Sequence, residues 1–217
     1  MRKPTLHCFA PDKKVIGIDL TGSENKASGW AVLTGHQAFT KRIMTDEQIL
    51  HNITRENPDL VSVDSPLSLP TGRISVFDDD PGRARFGITR SCERLLLKRG
   101  IRSYPPLIKS MQKLTLRGML LATKIREIGF PVIEVFPGGA QDVLGLPRKQ
   151  SGLQLLTQGL KDLGIAGAFS EAKVSHDEID ALTAAMVGHC YLTGYFESVG
   201  DPLEGCIILP ANNLPVR

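Results

Sequence analysis

A chain of 217 residues is long enough for one domain that withdraws about 70% of its unfolded surface from water, so neither disulfides nor a structural metal is required to hold its core. Its composition, 41% hydrophobic and 23% charged, excludes a wholly disordered polymer, and 6% aromatic content argues against a base-stacking platform. The net charge of +3 is too small to specify a polyanionic partner by itself; where the charges fall is more informative.

In chain order, Val15 to Leu20 (VIGIDL) is a short apolar run suited to a strand covered on both faces. Gly29 to Thr34 predicts a second strand, and the turn Gly35-His36 leads into a third, Gln37 to Ile43. Thr45-Asp46-Glu47-Gln48 has capping-box spacing ahead of Ile49, Leu50 and Ile53 and opens a helix that ends at Pro58. Leu60 to Asp64 is a fourth, buried-type strand. Ser65 to Ile88 is rich in Pro, Gly and Asp and lacks periodicity, which reads as a functional loop or flap.

Helices are predicted from Thr89 to Lys98, with Gly100 beyond, and through Leu107, Met111, Leu114, Gly118, Leu121, Ala122 and Ile125, with Gly129 as the stop. Pro131 to Phe136 is a fifth strand, Ala140 to Leu144 one helical turn, and Ser151 to Leu163 and Ser175 to Tyr195 are helices. Gly205 to Leu209 reads as a last strand. The alternation predicts a single α/β domain over residues 1–217, with a loop and helical insertion at about 65–128. The dispersed cysteines 8, 92, 190 and 206 suit reduced thiols. Met1 to Lys14 has no apolar signal-peptide core. The uncharged run Ala181 to Phe196 is shorter than the ~20 residues of a membrane span. The expectation is a soluble, cytoplasmic chain without a membrane partner.

The chemistry lies in the acids. Asp19 ends the first strand, Asp64 ends the fourth, and Asp177 and Asp180 stand three apart at the start of the last long helix. Parallel neighbours would carry Asp19 and Asp64 to one sheet edge, where ligands of open α/β sheets bind. The helical spacing puts Asp177 and Asp180 on one face. Carboxylates gathered in one cleft repel unless a cation neutralises them, and hard oxygen ligands suit Mg²⁺ or Mn²⁺. Two such ions would clamp the attacking and leaving oxygens of a phosphodiester. Taken singly, each Asp also fits a turn former or a helix cap. Glu134, inside an apolar strand, is a candidate fifth catalytic acid, because buried carboxylates are paired or bind cations; on an edge strand it would instead face water.

The segments VIGIDLTGS, VSVDSPLSLP, RSCERLLLKRGI, IEVFPGGAQDVLG, HDEIDALTAA and GDPLEGCIILP, in this order, resemble the domain-of-unknown-function family 429, described as predicted nucleases with a ribonuclease H-like fold. That resemblance implies a mixed five-stranded sheet, three antiparallel strands then two parallel, flanked by helices. It implies Asp19 as the ligand shared by two metals, Asp64 as the fourth-strand ligand, and Asp177 with Asp180 as the helix pair. His176 beside them would orient water or phosphate, or serve as an ordinary surface histidine.

Residues 81–102 carry a charge of +6, leaving −3 for the rest of the chain. Within them Arg90, Arg94 and Lys98 recur at spacing four, fit to track a nucleic-acid backbone or to complement a helix end, and Asp78, Asp79 and Asp80 stand ready to mute that field. DNA and RNA are not distinguished. The leading expectation is therefore metal-dependent phosphodiester hydrolysis. The alternatives are a non-catalytic nucleic-acid or protein-binding module, and an ATP-dependent phosphotransferase of the actin type suggested by Asp19-Leu-Thr-Gly-Ser.

Overall fold

The computed structural model describes residues 9–148, 152–170 and 174–212; Cys8 and Ser151 lie outside them. A meander of β1 (Lys14–Asp19), β2 (Ser28–Thr34) and β3 (Gln37–Ile43) is antiparallel throughout. β4 (Leu60–Asp64) runs parallel to β1, and β5 (Val132–Glu134) parallel to β4. The sheet is six-stranded rather than five-stranded, in the order β5-β4-β1-β2-β3-β6. Its extra strand, β6 (Ala166–Gly167), pairs with Gln37 and Ala38. Two residues are too few to show a period, so this strand leaves no pattern to read.

The predicted last strand joins a different sheet. β8 (Gly205–Pro210) pairs antiparallel with β7 (Phe196–Asp201), and one parallel bridge, Val135 to Ile208, ties this hairpin to the main sheet's edge. The segment FESVGD alternates too poorly to announce a strand, and the helix predicted through Tyr195 stops at Leu192, with Gly194 at φ 79° beyond it.

Alternation along the strands divides the core. Ile16, Ile18, Trp30, Val61 and Val63 pack against α1 (Asp46–Glu56) and α4 (Gln112–Glu127). Thus α4, placed by the sequence within an insertion, is part of the helical layer on the sheet. Val15, Ala31, Leu33 and Leu60 point the other way, toward α7 (His176–Leu192), which α6 (Leu153–Asp162) flanks and whose residues Glu178 to Cys190 are all buried. This central helix lies directly on the strands because three glycines remove the spacers. A Cβ on Gly17 would stand 1.9 Å from the Ala181 carbonyl oxygen, one on Gly29 1.9 Å from that of Asp177, and one on Gly188 2.4 Å from Ser62 Oγ. Among the described residues no helix is long and apolar enough to cross a membrane.

The flap at 65–88 is ordered by its own polar groups and contains one short helix, α2 (Arg83–Phe86). Buried Asp80 accepts from the backbone N–H groups of Ile74, Ser75 and Gly82 and pairs with Arg73. Arg73 in turn donates to the carbonyls of Gly87, Ser75 and Phe77. Burial opposes the charge of Asp80, but these donors outweigh it and hold its pKa at about 2.

Candidate functional site

Strand register builds the site. Asp19 and Asp64 are direct partners on parallel β1 and β4. Across the meander Asp19 pairs with Gly29, and Gly29 with Arg42. One rung of the sheet therefore reads Asp64, Asp19, Gly29, Arg42. Side chains two apart share a face, so Asp19 follows Val15 and Gly17 toward α7, and Asp64 follows Leu60 and Ser62 to the same side. Both aspartates are half-buried.

The same end of α7 closes over this rung. Ser175 caps the helix, its Oγ accepting from the Glu178 N–H at 3.3 Å while Glu178 Oε2 accepts from the Ser175 N–H at 3.0 Å. Glu178 Oε1 also accepts from Thr40 Oγ1 of β3 at 3.2 Å. With Gly29 beneath the Asp177 carbonyl, the helix start is fixed against β2 and β3. The run HDEID thus has three carboxylates in three settings. Glu178 is the cap. Asp177 is half-buried and lines an open cleft of about 560 Å³ with Thr21, Lys26, Arg42 and Met44. Asp180 is buried and accepts from Gln141 Nε2 at 2.9 Å. His176 is exposed.

Gln141 comes from α5 (Pro137–Val143), which also carries Asp142, the partner of Arg148. The hydrogen bond to Asp142 holds the Arg148 guanidinium above its ordinary pKa, with a further contribution from the charge of Asp180. The four aspartates thus belong to one end and one face of the sheet. Among the described residues, however, no three His, Cys, Asp or Glu side chains form a group able to hold a metal ion. The donor set therefore does not fit an all-protein cage of four carboxylates. Mg²⁺ is also commonly held by one or two carboxylates with water completing its shell, and here Asp19 and Asp64 are the in-register pair.

Glu134 does something else. In register it stands beside Val63, whose side chain faces α1 and α4, opposite to Asp64. Its oxygens accept from Arg90 Nη1 at 2.8 Å, Arg90 Nη2 at 2.5 Å and the Leu67 N–H at 2.7 Å. Arg90, just before α3 (Ser91–Lys98), is 0% exposed and also grips Glu93. Burial opposes its charge, but Glu134 and Glu93 outweigh that and raise the guanidinium pKa. These two assignments are corrected accordingly. Glu134 is the acid of a buried ion cluster, and Arg90 is its counterion rather than an exposed grip for phosphate.

The rest of the basic segment is partly neutralised. Arg83 pairs with Asp78, and Arg99 with Glu197 at 2.6 Å. Arg94 and Lys98 are exposed, with Arg94 Nη1 donating to the Thr89 carbonyl at 2.5 Å.

Two features of the site escaped the sequence reading. Arg117 of α4 donates to the Thr21 carbonyl at 2.8 Å and pairs with Asp46 at 2.8 Å, pinning the β1–β2 connection that floors the cleft. Arg42 and Lys26 are isolated cations in the sequence, less conspicuous than the dense basic segment at 81–102. Counting outward from the turn at Gly35-His36 sets Arg42 opposite Gly29, a signal present in the sequence. Comparison with family models, with curated proteins and with solved structures gives no match for this chain.

Proposed function

We propose that this chain is a metal-dependent nuclease that hydrolyses phosphodiester bonds of nucleic acid at the Asp19–Asp64 pair. The observation that carries the reading is the direct register of these two half-buried carboxylates on parallel strands, beneath the start of α7. The order and directions of β1 to β5, three antiparallel strands followed by two parallel ones, support a ribonuclease H-like fold. With the quoted sequence segments they support kinship with the domain-of-unknown-function family 429.

In this reading Asp19 and Asp64 hold Mg²⁺ or Mn²⁺. When bound, the ion supplies Lewis acidity toward a phosphoryl oxygen and lowers the pKa of a coordinated water. Asp177, at the cleft wall, accepts hydrogen bonds from water entering beside the scissile phosphate. Asp180, held by Gln141, is a positioning residue for the helix start.

A non-catalytic binder is the second reading, favoured by the lack of a three-acid group among the described residues. The phosphotransferase alternative loses its motif. Thr21 Oγ1 lies 3.0 Å from the Ser23 carbonyl, 2.9 Å from that of Lys26 and 3.1 Å from Arg117 Nη1, so the loop is closed on itself rather than open to phosphate.

The test is cleavage of a panel of branched, single-stranded and hybrid nucleic acids with Mg²⁺ or Mn²⁺. Wild type is expected to cut at least one of them, and Asp19→Asn and Asp64→Asn to lose on the order of a hundredfold in rate. No cleavage by wild type, or equal rates in both variants, would overturn the nuclease reading; metal-independent, salt-sensitive binding without turnover would favour the binder.

A further inference from the structure

We propose that Lys26 and Arg42 form a binding site for a non-scissile phosphate of a single nucleic-acid strand, so that the strand enters past the ends of β2 and β3 rather than along α3. This deepens the nuclease reading and rests on it. Arg42 occupies the same rung as Asp64, Asp19 and Gly29. With strands about 4.8 Å apart, it lies two strands, or about 10 Å, from Asp19. Gly29 between them is buried beneath the Asp177 backbone, so the open path from Arg42 toward Asp19 runs around the start of α7, through the cleft at Thr21 and Lys26.

Both cations are exposed and line the cleft that Asp177 closes on the helix side. Among the described residues neither side chain takes part in an ion pair, whereas Arg83, Arg90 and Arg99 of the basic segment all do. The loop bearing Lys26 is preorganised by Thr21 and buried Arg117. Preorganisation of this kind reduces the ordering cost of binding. Cations at a fixed separation from a carboxylate pair suit a polyanion with phosphates on either side of the bond to be cut.

The experiment measures anisotropy of a labelled single-stranded oligonucleotide across a salt series, in the Asp19→Asn background so that no cleavage intervenes, with inorganic phosphate as competitor. Arg42→Gln and Lys26→Gln are each expected to weaken binding about tenfold and to reduce the slope of log affinity against log salt by about 0.7. Arg94→Gln is expected to leave both unchanged. Both lysine and arginine positions are exposed, and circular dichroism checks that each variant is folded.

Unchanged strand binding in Arg42→Gln and Lys26→Gln, while otherwise wild-type protein still cleaves with unaltered KM, would overturn this site and leave the nuclease reading standing. Neither binding nor cleavage in any background would overturn both. Competition by inorganic phosphate as effective as by the oligonucleotide would also overturn the proposal, because it would make the site one for a single anion.

Discussion

Strands β1, β4 and β5 all end in acids, and the molecule treats the edge acid and the central pair in opposite ways. At the edge of the sheet, Glu134 of β5 is buried and its charge is met by Arg90, which also satisfies Glu93. In the middle of the sheet, Asp19 and Asp64 are in register on parallel strands and remain half-exposed. The first arrangement is complete within the protein, with carboxylate, guanidinium and backbone N–H arranged to satisfy one another. The second sets two carboxylates in register on neighbouring strands at the open end of the sheet. An acid at the end of an apolar strand is thus not one kind of signal; its meaning depends on whether the fold buries it or leaves it at the open end of the sheet.

Removing the internal counterion should give the largest effect. Arg90→Met leaves Glu93 and Glu134 buried without their partner, and breaking such a cluster costs about 3–5 kcal/mol. Urea denaturation is expected to show that loss, and an unchanged midpoint would mean the cluster is not closed as described. Gly29→Ala comes next. Its Cβ would meet the Asp177 carbonyl oxygen at 1.9 Å, and overpacking of this kind costs about 1–3 kcal/mol, measurable as a lowered Tm together with loss of cleavage as the helix start lifts from the rung.

Acid titration sharpens the contrast from another side. Asp80 is held at about pKa 2, below its ordinary 3.8, so its contribution to stability is complete above pH 4 and lost as pH falls toward 2. Asp80→Asn should flatten the stability profile across that window, and its curve should approach the wild-type curve below pH 2. Asp19→Asn, at the half-exposed pair, is expected to lose on the order of a hundredfold in cleavage rate while shifting the urea midpoint far less than Arg90→Met does. Smallest of all, Lys98→Gln on the exposed helix surface should change stability by less than about 0.5 kcal/mol.

Much of this was legible because apolar runs and turn residues mark their own boundaries. Gln37 to Ile43 and Leu60 to Asp64 were read to the residue, and the placement of Asp19 and Asp64 at strand ends followed from those runs. What stayed hidden depended on contacts between distant residues. Glu134, the partner that buries Arg90 against the sheet edge, lies 44 positions away, so a helix-surface spacing of four looks the same whether its first member is solvated or buried. Gly17 reads as an ordinary interruption in a strand until α7 is laid on it. β7 carries Glu197 and Asp201 among its six residues, and its pairing to β8 rather than to the main sheet is a choice of topology that periodicity does not encode.

The most direct test of the central claim is calorimetric titration of metal-free protein with Mn²⁺, comparing wild type with Asp19→Asn, Asp64→Asn and Glu134→Gln after each is shown to be folded. Binding in wild type and Glu134→Gln that disappears in both aspartate variants is the predicted result. Binding that persists undiminished in Asp19→Asn and Asp64→Asn, or no binding to wild type, would contradict it.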